Sequence, residues 1–264
     1  MPTANCSHGD YPLHNSSNPG TLIVTGASRG IGAAIAQLAG HRGYAVAVNF
    51  STSETEADAI TREIIANGGS ALAIHADVSR EDHIVDMFER AERELGPIKG
   101  LVNNAGITGG FGRVEDVTAE ALERTLKVNV TGAILCAREA VKRTSTKHGG
   151  TGGAIVNISS RAAHIGAPGE WVHYAATKGA IESFTIGLAR EVATEGIRVN
   201  AVSPGLIETD IHTSGAPGRL ARLVPTVPMQ RAGLPHEVAE AVLWLLSPTA
   251  SYTTGAILSV SGGR

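Results

Sequence analysis

The sequence predicts an α/β fold in which a mostly parallel, doubly wound sheet carries helices on both faces. Short apolar runs rich in β-branched or aliphatic residues alternate with helix-length segments along most of the chain. Parallel strands need long crossover connections, and a repeated strand-helix-strand pattern supplies helical ones. The composition, with 32 glycines, 42% hydrophobic and only 4% aromatic residues, suits aliphatic strands joined by tight turns. We therefore expect one domain, since 264 residues is an ordinary length for a single α/β unit.

The strand candidates are the apolar runs at residues 22–24, 45–50, 71–75, 98–103, 154–158, 199–202 and 256–260. The helix candidates between them lie at residues 31–41, 54–66, 80–95, 119–144, 171–194 and 235–246. Before the first strand, residues 1–19 are polar and lack apolar periodicity, which predicts a flexible tail ahead of a domain at residues 20–264. Residues 205–234, rich in proline and glycine, form a long excursion after the sixth strand and predict a substrate lid.

Charge and composition argue against several classes of protein. The formal net charge is -3 and no long basic run occurs, so nucleic acid is not an expected partner. No apolar stretch approaches the roughly 20 residues that span a bilayer, and no secretory signal is visible. Two cysteines, Cys6 and Cys136, fit a reducing compartment, and the ten histidines are scattered without a ligand cluster. We expect a cytoplasmic protein without a metal site that acts on a small molecule.

A glycine-rich loop, Thr25-Gly-Ala-Ser-Arg-Gly-Ile-Gly32, follows the first predicted strand. Its three glycines allow a tight turn, close approach of backbone N–H groups to a phosphate, and close packing of the next helix. The spacing Gly-x-x-x-Gly-x-Gly departs from the usual G-x-G-x-x-G dinucleotide fingerprint. A glycine-rich turn without a ligand is the alternative. The strand before the loop and the helix after it favour a pyrophosphate site.

The end of the second predicted strand bears on the choice of cofactor. An enzyme for NAD usually places Asp or Glu there to bind the adenine ribose. This chain has Asn49, Phe50 and Ser51, with no acid before Glu54. Arg29 in the glycine loop offers a guanidinium for a 2′-phosphate. NADP(H) is therefore favoured over NAD(H), although a solvated arginine and a serine helix cap would leave the same pattern.

Tyr174 and Lys178 are four residues apart on a predicted helix, so they share one face of it. A tyrosine with a pKa of roughly 10 is a poor proton shuttle near neutrality, and an adjacent ammonium group would lower that pKa. The pair alone is weak evidence, because an ordinary amphipathic helix often contains it. Short polar groups also follow the third and fourth strands, at Asp77 and at residues 103–106, where they could line a cofactor.

Taken together, the motifs resemble those of the short-chain dehydrogenase/reductase family, in the branch of bacterial 3-oxoacyl reductases and glucose dehydrogenases. The motifs are residues 25–32, Asn103-Asn-Ala-Gly106, Asn129, Ser160, Tyr174-Ala-Ala-Thr-Lys178, and Pro204-Gly205 with Thr209. The resemblance covers residues 21–263. It implies a Rossmann-type sheet of seven parallel strands, a nicotinamide cofactor and a homotetramer built partly through the helices around the fifth strand.

The resemblance also implies hydride transfer between nicotinamide C4 and a carbonyl or alcohol carbon. Tyr174 would exchange the proton with the substrate oxygen, and Ser160 would polarise that oxygen. Lys178 would bind the nicotinamide ribose and, together with the oxidised nicotinamide, lower the tyrosine pKa. Asn129 would hold a water that links Lys178 to solvent, a role compatible with an amide that bridges a helix kink. The implied cofactor-binding residues are Gly26, Ser28, Arg29, Gly30, Ile31, Gly32, Asn49, Ser51, Asp77, Val78, Asn104, Ala105, Gly106, Tyr174, Lys178, Ile207 and Thr209.

Ser160 precedes Tyr174 by 14 residues, one more than is common in the family, so the loop between them is expected to differ. His164, Glu170, Trp171 and His173 lie in or beside this loop and could contact substrate. The leading hypothesis is an NADP(H)-dependent oxidoreductase acting on a ketone, aldehyde or sugar. A reductase of carrier-bound 3-oxoacyl thioesters is the alternative, and it would need a basic docking patch, for which Arg161, Arg219, Arg222 and Arg231 are candidates. A nucleotide sensor without turnover is less favoured, because Ser160, Tyr174 and Lys178 are all present.

Overall fold

The structure is a computed structural model that describes residues 19–264, apart from the side chains at positions 213 and 214. Within that range, seven strands form one sheet in which every neighbouring pair is parallel, in the order β3-β2-β1-β4-β5-β6-β7. The strands are β1 (Thr21–Val24), β2 (Ala45–Phe50), β3 (Ser70–His75), β4 (Ile98–Asn103), β5 (Gly153–Ile158), β6 (Ile197–Pro204) and β7 (Ile257–Val260). The predicted α/β fold is therefore confirmed. The flexible tail predicted at residues 1–19 lies outside the described residues, except for Pro19.

Helices cover both faces of the sheet. They are α1 (Gly30–His41), α2 (Glu54–Ala66), α3 (Glu81–Leu95), α4 (Ala119–Leu126), α5 (Ala133–Thr144), α6 (Ala162–Ile165), α7 (Val172–Val192), α8 (Arg219–Leu223) and α9 (Pro235–Leu246). Leu22 and Val24 of β1 pack into one core with α1, α2 and α9, whereas Ile23 packs into the other core with α3, α5 and α7. Successive strand side chains point to opposite faces, so a strand covered on both sides is a continuous apolar run.

The segment predicted as one helix at residues 119–144 is interrupted in the middle. A π-helical turn, Lys127–Gly132, joins α4 to α5 and contains the buried Asn129. A π turn inserts extra backbone into a helix and is found frequently at functional sites. Periodicity alone does not distinguish such a turn from a continuous α-helix.

Strand order reverses between β1 and β4, and this reversal opens a crevice at their carboxyl ends. Asn104 connects the two loops that border the crevice by hydrogen bonds. Its side-chain amide donates to the backbone oxygens of Thr25 and Gly26, both at 2.9 Å. The Thr25 hydroxyl in turn accepts from the backbone N–H groups of Asn104 and Ala105, both at 3.0 Å. The loop after β1 is thus held in place from the loop after β4.

The excursion at residues 205–234 is closed by a parallel bridge between Ile207 and Gly233. It contains 3-10 turns at Asp210–Ser214 and Val224–Thr226 in addition to α8. The segment lies beside the carboxyl ends of β5 and β6, where residues from all three elements line one cavity. Among residues 19–264, none of the helices has the length and apolar character needed to cross a membrane.

Candidate active site

Helix α7 places Tyr174 and Lys178 at the carboxyl end of β5. Both side chains are buried, and the Lys178 ammonium lies over the Tyr174 ring at 5.6 Å from its centroid. Lys178 Nζ donates to the backbone oxygen of Ile158, the last residue of β5, at 2.7 Å. The four-residue spacing therefore brings the phenol and the ammonium group together against the strand end that leads into Ser160.

Burial has the largest effect on the pKa of both groups. It raises the pKa of Tyr174 to about 12, and hydrogen bonding with Ser160 and the positive charge of Arg219 offset this only partly. Burial also lowers the pKa of Lys178 to about 8. Side chains of this chain alone therefore keep Tyr174 a neutral phenol near neutrality. The lowering of its pKa that was predicted from Lys178 together with the oxidised nicotinamide stays a prediction.

Ser160, rather than its neighbour Ser159, interacts with Tyr174. Ser160 Oγ accepts from the backbone N–H of Ala162 at 3.1 Å, at the start of α6. Ser159 is buried, and its hydroxyl donates to Glu182 Oε1 on α7 at 2.8 Å. Ser160 as the site serine stays a prediction, and it is Ser160 whose side chain forms a hydrogen bond with Tyr174.

The loop between Ser160 and Tyr174 has an unusual backbone. Gly166, Ala167 and Gly169 all have positive φ, with values of 74°, 46° and 72°. A positive φ is rare for alanine, so the loop holds Ala167 in a strained conformation. Of the four residues that the sequence suggested as substrate contacts, Glu170 and Trp171 line the cavity beside Tyr174. His173 instead packs near Gly109, and His164 lies 3.5 Å from Glu182.

Asn129 connects the π turn to the loop after β4. Its Oδ1 accepts from the backbone N–H of Ile107 at 2.8 Å, and its Nδ2 donates to the Ile107 oxygen at 2.9 Å. Nδ2 also donates to Thr177 Oγ1 on α7 at 3.0 Å. The side chain therefore acts as a bridge between three elements around Gly106, whose Cα faces both Asn129 and the Lys178 ammonium.

The glycine loop forms a close-packed cradle at the start of α1. Gly26 and Gly30 have φ of 61° and 55°, in the left-handed region that favours glycine. A Cβ at Gly32 would lie 2.3 Å from the Gly26 oxygen and 2.5 Å from Asn104 Nδ2. Arg29 precedes the helix with an exposed side chain, and Ser28 beside it is half-buried. The first N–H groups of a helix lack acceptors within it, so the cradle presents donors to an anion.

Asn49 differs from its predicted position as a cofactor ligand. The side chain is buried, its Oδ1 accepts from the Gly26 N–H at 3.1 Å, and its Nδ2 donates to the backbone oxygens of Ile74 and Ala76. These bonds connect the glycine loop to β2 and to the end of β3. Asn49 therefore supports the cradle from its buried side. Ser51, two residues further along, is exposed at the end of β2.

Asp77 and Val78 border the crevice after β3. Asp77 Oδ1 accepts from the Ser79 N–H at 2.9 Å. Burial opposes ionisation, but hydrogen bonds from Ser79 and the charge of Arg124 outweigh it and hold the pKa of Asp77 below its usual range. Val78 is buried, and its backbone oxygen packs against Gly132 of the π turn. The aspartate is therefore an ionised acceptor near neutrality.

One cavity of about 340 Å³ brings together the residues that were predicted for chemistry and for the nicotinamide end of the cofactor. The predicted residues that line it are Ile31, Asn104, Gly106, Ser160, Tyr174, Lys178, Ile207 and Thr209. The other predicted residues lie outside its lining, in the glycine loop, at the ends of β2 and β3, at Ala105 and in the π turn. Among residues 19–264, no group of three His, Cys, Asp or Glu side chains could hold a metal ion.

A polar network lies over this cavity, and the sequence did not predict it. Arg219 of α8 is buried, and its Nε and Nη2 donate to Glu170 Oε2 at 2.9 and 2.7 Å. Its guanidinium also stacks over the Trp171 ring at 4.1 Å from the centroid, and Arg222 donates to Glu170 Oε1 at 2.7 Å. Trp171 in turn packs edge-on against Tyr174. The excursion is thereby tied to the loop that precedes the tyrosine.

His212 completes the network in a defined tautomer. Its Nε2 lies 2.7 Å from the Ile207 oxygen, which can only accept, and its Nδ1 lies 2.7 Å from Arg219 Nη1, which can only donate. The imidazole is therefore neutral with its proton on Nε2. Burial lowers the pKa of His212, and the charge of Arg219 adds to this effect. The only hint in the sequence was an arginine and a histidine within the proline- and glycine-rich stretch.

Comparison with known proteins places this chain among oxidoreductases. A family model described as enoyl-(acyl carrier protein) reductase matches residues 26–264. The uncharacterized oxidoreductase YgfF of Escherichia coli (strain K12) is 51% identical over 243 residues, covering 92% of this chain and 98% of its own. Glucose 1-dehydrogenase 2 of Bacillus subtilis (strain 168) is 39% identical, covering 92% and 93%. The crystal structure of a short-chain type dehydrogenase/reductase from Mycobacterium marinum matches with a TM-score of 0.87 at 34% identity, covering 92% and 94%.

Proposed function

Because the chain belongs to the short-chain dehydrogenase/reductase family, whose members act on CH–OH groups with NAD(P), we propose that it is an NADP(H)-dependent oxidoreductase. Its substrate is a ketone, aldehyde or sugar, or the corresponding alcohol. The observation that carries the proposal is the convergence of Ser160, Tyr174 and Lys178 at one end of a cavity that Asn104, Gly106 and Thr209 also line.

The side chains divide the chemistry between them. Ser160 donates a hydrogen bond to the substrate oxygen and stabilises the negative charge that develops there. Tyr174, which burial keeps protonated, gives its proton to that oxygen in reduction and takes it back in oxidation. Lys178 stabilises the phenolate electrostatically, and Asn129 fixes the loop around it and positions the water that resupplies the proton. The nicotinamide, when bound, supplies or accepts the hydride at C4.

The residues of the crevice fit a dinucleotide. The left-handed glycines and the close contact at Gly32 leave backbone N–H groups open to a pyrophosphate at the start of α1. Asp77 and Val78 take the adenine, residues 104–106 the adjacent ribose, and Ile207 with Thr209 the carboxamide. Asn49 supports the cradle indirectly.

The preference for NADP(H) is supported by the two exposed side chains at the adenine-ribose end. Arg29 and Ser51 are both exposed, and no carboxylate precedes Glu54 after β2. A guanidinium and a hydroxyl suit a 2′-phosphate, whereas an acid would repel it.

The relative named glucose 1-dehydrogenase supports a small carbonyl or sugar substrate. A carrier-bound thioester is less favoured, because three of the four arginines that a docking patch would need already pair with carboxylates. Arg219 and Arg222 bind Glu170, and Arg231 binds Glu237. Residues 205–234 then serve as the lid of the substrate cavity.

We propose in addition that the protein works as a homotetramer in the cytoplasm, as the resemblance implies. Apolar side chains exposed on α4, α5 and α7 support association through these helices. They are Leu122, Leu126, Ile134 and Ile186, each between 37% and 42% exposed.

Fluorescence titration of the purified protein with NADPH and NADH tests the cofactor. We expect NADPH to bind at least tenfold tighter, a difference of about 1.4 kcal/mol, and Ser51→Asp to reverse the order. Thr55→Asp, which adds the same charge at the exposed second residue of α2, is the matched control and should leave the order unchanged. Tighter binding of NADH would contradict the reading of Arg29 and Ser51.

Tyr174→Phe separates an enzyme from a nucleotide sensor. The variant should bind NADPH as the wild type does and lose turnover by about 10² to 10⁴, the usual contribution of a positioned proton donor. Failure of the wild type to bind either nucleotide would contradict the enzymatic proposal itself. Turnover unaffected by the change would remove Tyr174 from the mechanism.

A further inference from the structure

The substrate side of the cavity carries a surplus of positive charge. Of the 25 residues that line it, five are charged, and only Glu170 among them is acidic. The basic ones are Arg161, Lys178, Arg219 and Arg264. Lys178 belongs to the catalytic group, so the remaining three arginines require a separate explanation.

The one carboxylate among these residues already binds two guanidinium groups. Glu170 Oε2 accepts twice from Arg219, and Glu170 Oε1 accepts from Arg222, which approaches from outside the lining. Two guanidinium groups therefore share one acid. Both oxygens of Glu170 accept from Arg219 or Arg222, and the charge of Glu170 is also close enough to act on Arg264.

Arg264 is held at the cavity by its backbone. Arg161 Nε and Ser261 Oγ both donate to the Arg264 oxygen, at 2.8 and 3.1 Å. The turn before it uses Gly262 and Gly263 with φ of 61° and 91°, and a Cβ at Gly262 would lie 2.9 Å from Val227 Cγ1 in the excursion. These glycines allow the chain to turn toward the cavity, so that Arg264 lines it with its guanidinium within range of the charges of Arg219 and Glu170.

No ion-pair partner serves the Arg264 guanidinium among the residues that the structure describes. Burial lowers the pKa of Arg264, and the positive charge of Arg219 adds to this effect. A guanidinium that is partly desolvated and close to another cation is stabilised by a nearby anion. The charge of Glu170 acts on Arg264 in this sense, and an anionic ligand of the cavity would add to that effect.

We propose that the substrate carries an anionic group, a carboxylate or a phosphate, which binds Arg264 while the carbonyl group lies against Ser160 and Tyr174. This inference rests on the proposed function and narrows its substrate class to small oxo acids, sugar phosphates or the matching alcohols. The planar guanidinium suits both anions, because it binds their paired oxygens with two parallel hydrogen bonds. Ile165 and Leu223 line the same cavity and offer apolar contacts to the carbon chain of such a substrate.

Two matched substrate pairs test the proposal. 4-Oxopentanoate and its methyl ester differ mainly in the carboxylate charge, and dihydroxyacetone phosphate and dihydroxyacetone differ in the phosphate. With NADPH, the wild type should show at least tenfold higher kcat/KM for the charged member of one pair, and that pair identifies the anion. Arg264→Met should reduce this preference to about twofold or less and leave kcat/KM for the neutral member within about threefold of the wild type.

Arg190→Met is the matched control. Arg190 is exposed near the end of α7 and does not line the cavity, so its loss changes the net charge equally without affecting the site. It should keep the preference of the wild type. The proposal is overturned if the wild type does not distinguish charged from neutral members, or if Arg264→Met lowers kcat/KM for both alike.

A binding measurement separates this inference from the proposed function. The chain has two tryptophans, so in a Trp244→Phe background the fluorescence reports on Trp171 at the cavity. Titration with each pair in the absence of cofactor should show at least tenfold tighter binding of one charged member, and Arg264→Met should abolish that difference. Such binding without any turnover would contradict the proposed enzymatic function and keep the anion site. Equal binding within both pairs, or no binding of either anion, overturns the anion site whatever the turnover.

Discussion

Ser159 and Ser160 are neighbours in the chain, but their hydroxyl groups have different partners. Ser159 Oγ donates to Glu182 on α7 at 2.8 Å, behind the strand end. Ser160 interacts with Tyr174 and helps to offset the effect of burial on the pKa of that phenol. We therefore expect Ser159 to contribute to the structure and Ser160 to the chemistry.

Alanine substitutions at the two serines should have opposite effects. Ser160→Ala removes a donor to the substrate oxygen and should lower kcat by about 10² to 10³, with little change in the free energy of unfolding. Ser159→Ala should lower the free energy of unfolding by about 1 kcal/mol and keep most of the activity. Steady-state kinetics and urea denaturation of both variants measure this. A larger loss of kcat in Ser159→Ala than in Ser160→Ala would reverse the assignment.

Acidification should weaken the polar network over the cavity through the protonation of His212. The neutral imidazole accepts from Arg219, and protonation would replace that hydrogen bond with repulsion between two cations. The pKa of His212 is lowered by burial, so the contact is complete above its ordinary value of 6.5 and is lost as the pH falls through the lowered value. We expect KM to rise as the pH falls through that lowered pKa, because His212 and Arg219 line the cavity.

His212→Gln is the control for this effect. A glutamine can donate to the Ile207 oxygen and accept from Arg219 without titrating. The charged groups that face His212 are Arg219 and Glu170, and both are retained in this variant. The acid-side rise in KM should disappear in His212→Gln, and its persistence there would exclude His212 as the titrating group.

The buried ammonium of Lys178 should make stability depend on pH in a predictable direction. Its pKa is about 8 in the folded protein against 10.5 for the ordinary group. Between these values the unfolded chain binds more protons than the folded one, so the contribution of Lys178 to the free energy of unfolding increases with pH. Below pH 8 both states are charged, and the folded state carries the full penalty of burying the ammonium.

Lys178→Met isolates this contribution. The free energy of unfolding of the variant minus that of the wild type should fall by about 1 to 2 kcal/mol between pH 7 and pH 9.5. The lost hydrogen bond to Ile158 is a constant offset and cancels in the comparison. Lys127→Met, at an exposed lysine, should show a much smaller change over the same range. A difference for Lys178→Met that does not vary with pH would refute the predicted charge of the buried lysine.

The sequence predicted the sheet and its helices because these depend on local periodicity. Aliphatic runs that are buried on both faces and helices with one apolar face leave a clear pattern in the chain. The order of the motifs relative to the strands also predicted which loops border the crevice, since parallel strands place their carboxyl ends at one edge.

The features that were missed depend on side chains that meet across long distances in the chain. Asn49 lies opposite Ile74 in the pairing of β2 with β3, and its amide donates to the backbone oxygen of that residue. Glu170 and Arg219 are 49 residues apart and meet only when the excursion folds over the cavity. Arg264 reaches the same cavity through a turn built on two glycines. Nothing in the local pattern of the sequence encodes these contacts.

Gly32→Ala should disable the cofactor cradle. The new Cβ would lie 2.3 Å from the Gly26 oxygen and 2.5 Å from Asn104 Nδ2, and both are held in place, one by the turn and the other by bonds to Thr25 and Gly26. The loop must shift, which should weaken NADPH binding at least tenfold and lower the free energy of unfolding by about 1 to 3 kcal/mol.

Gly187→Ala, a helical position of α7 with no atom within 4 Å of the added Cβ, is the matched control. It should keep NADPH affinity and raise the free energy of unfolding by about 0.5 to 1 kcal/mol, because alanine favours the helix. Wild-type NADPH affinity in Gly32→Ala, measured by the same titration, would show that the cofactor does not depend on this close contact between loop and helix.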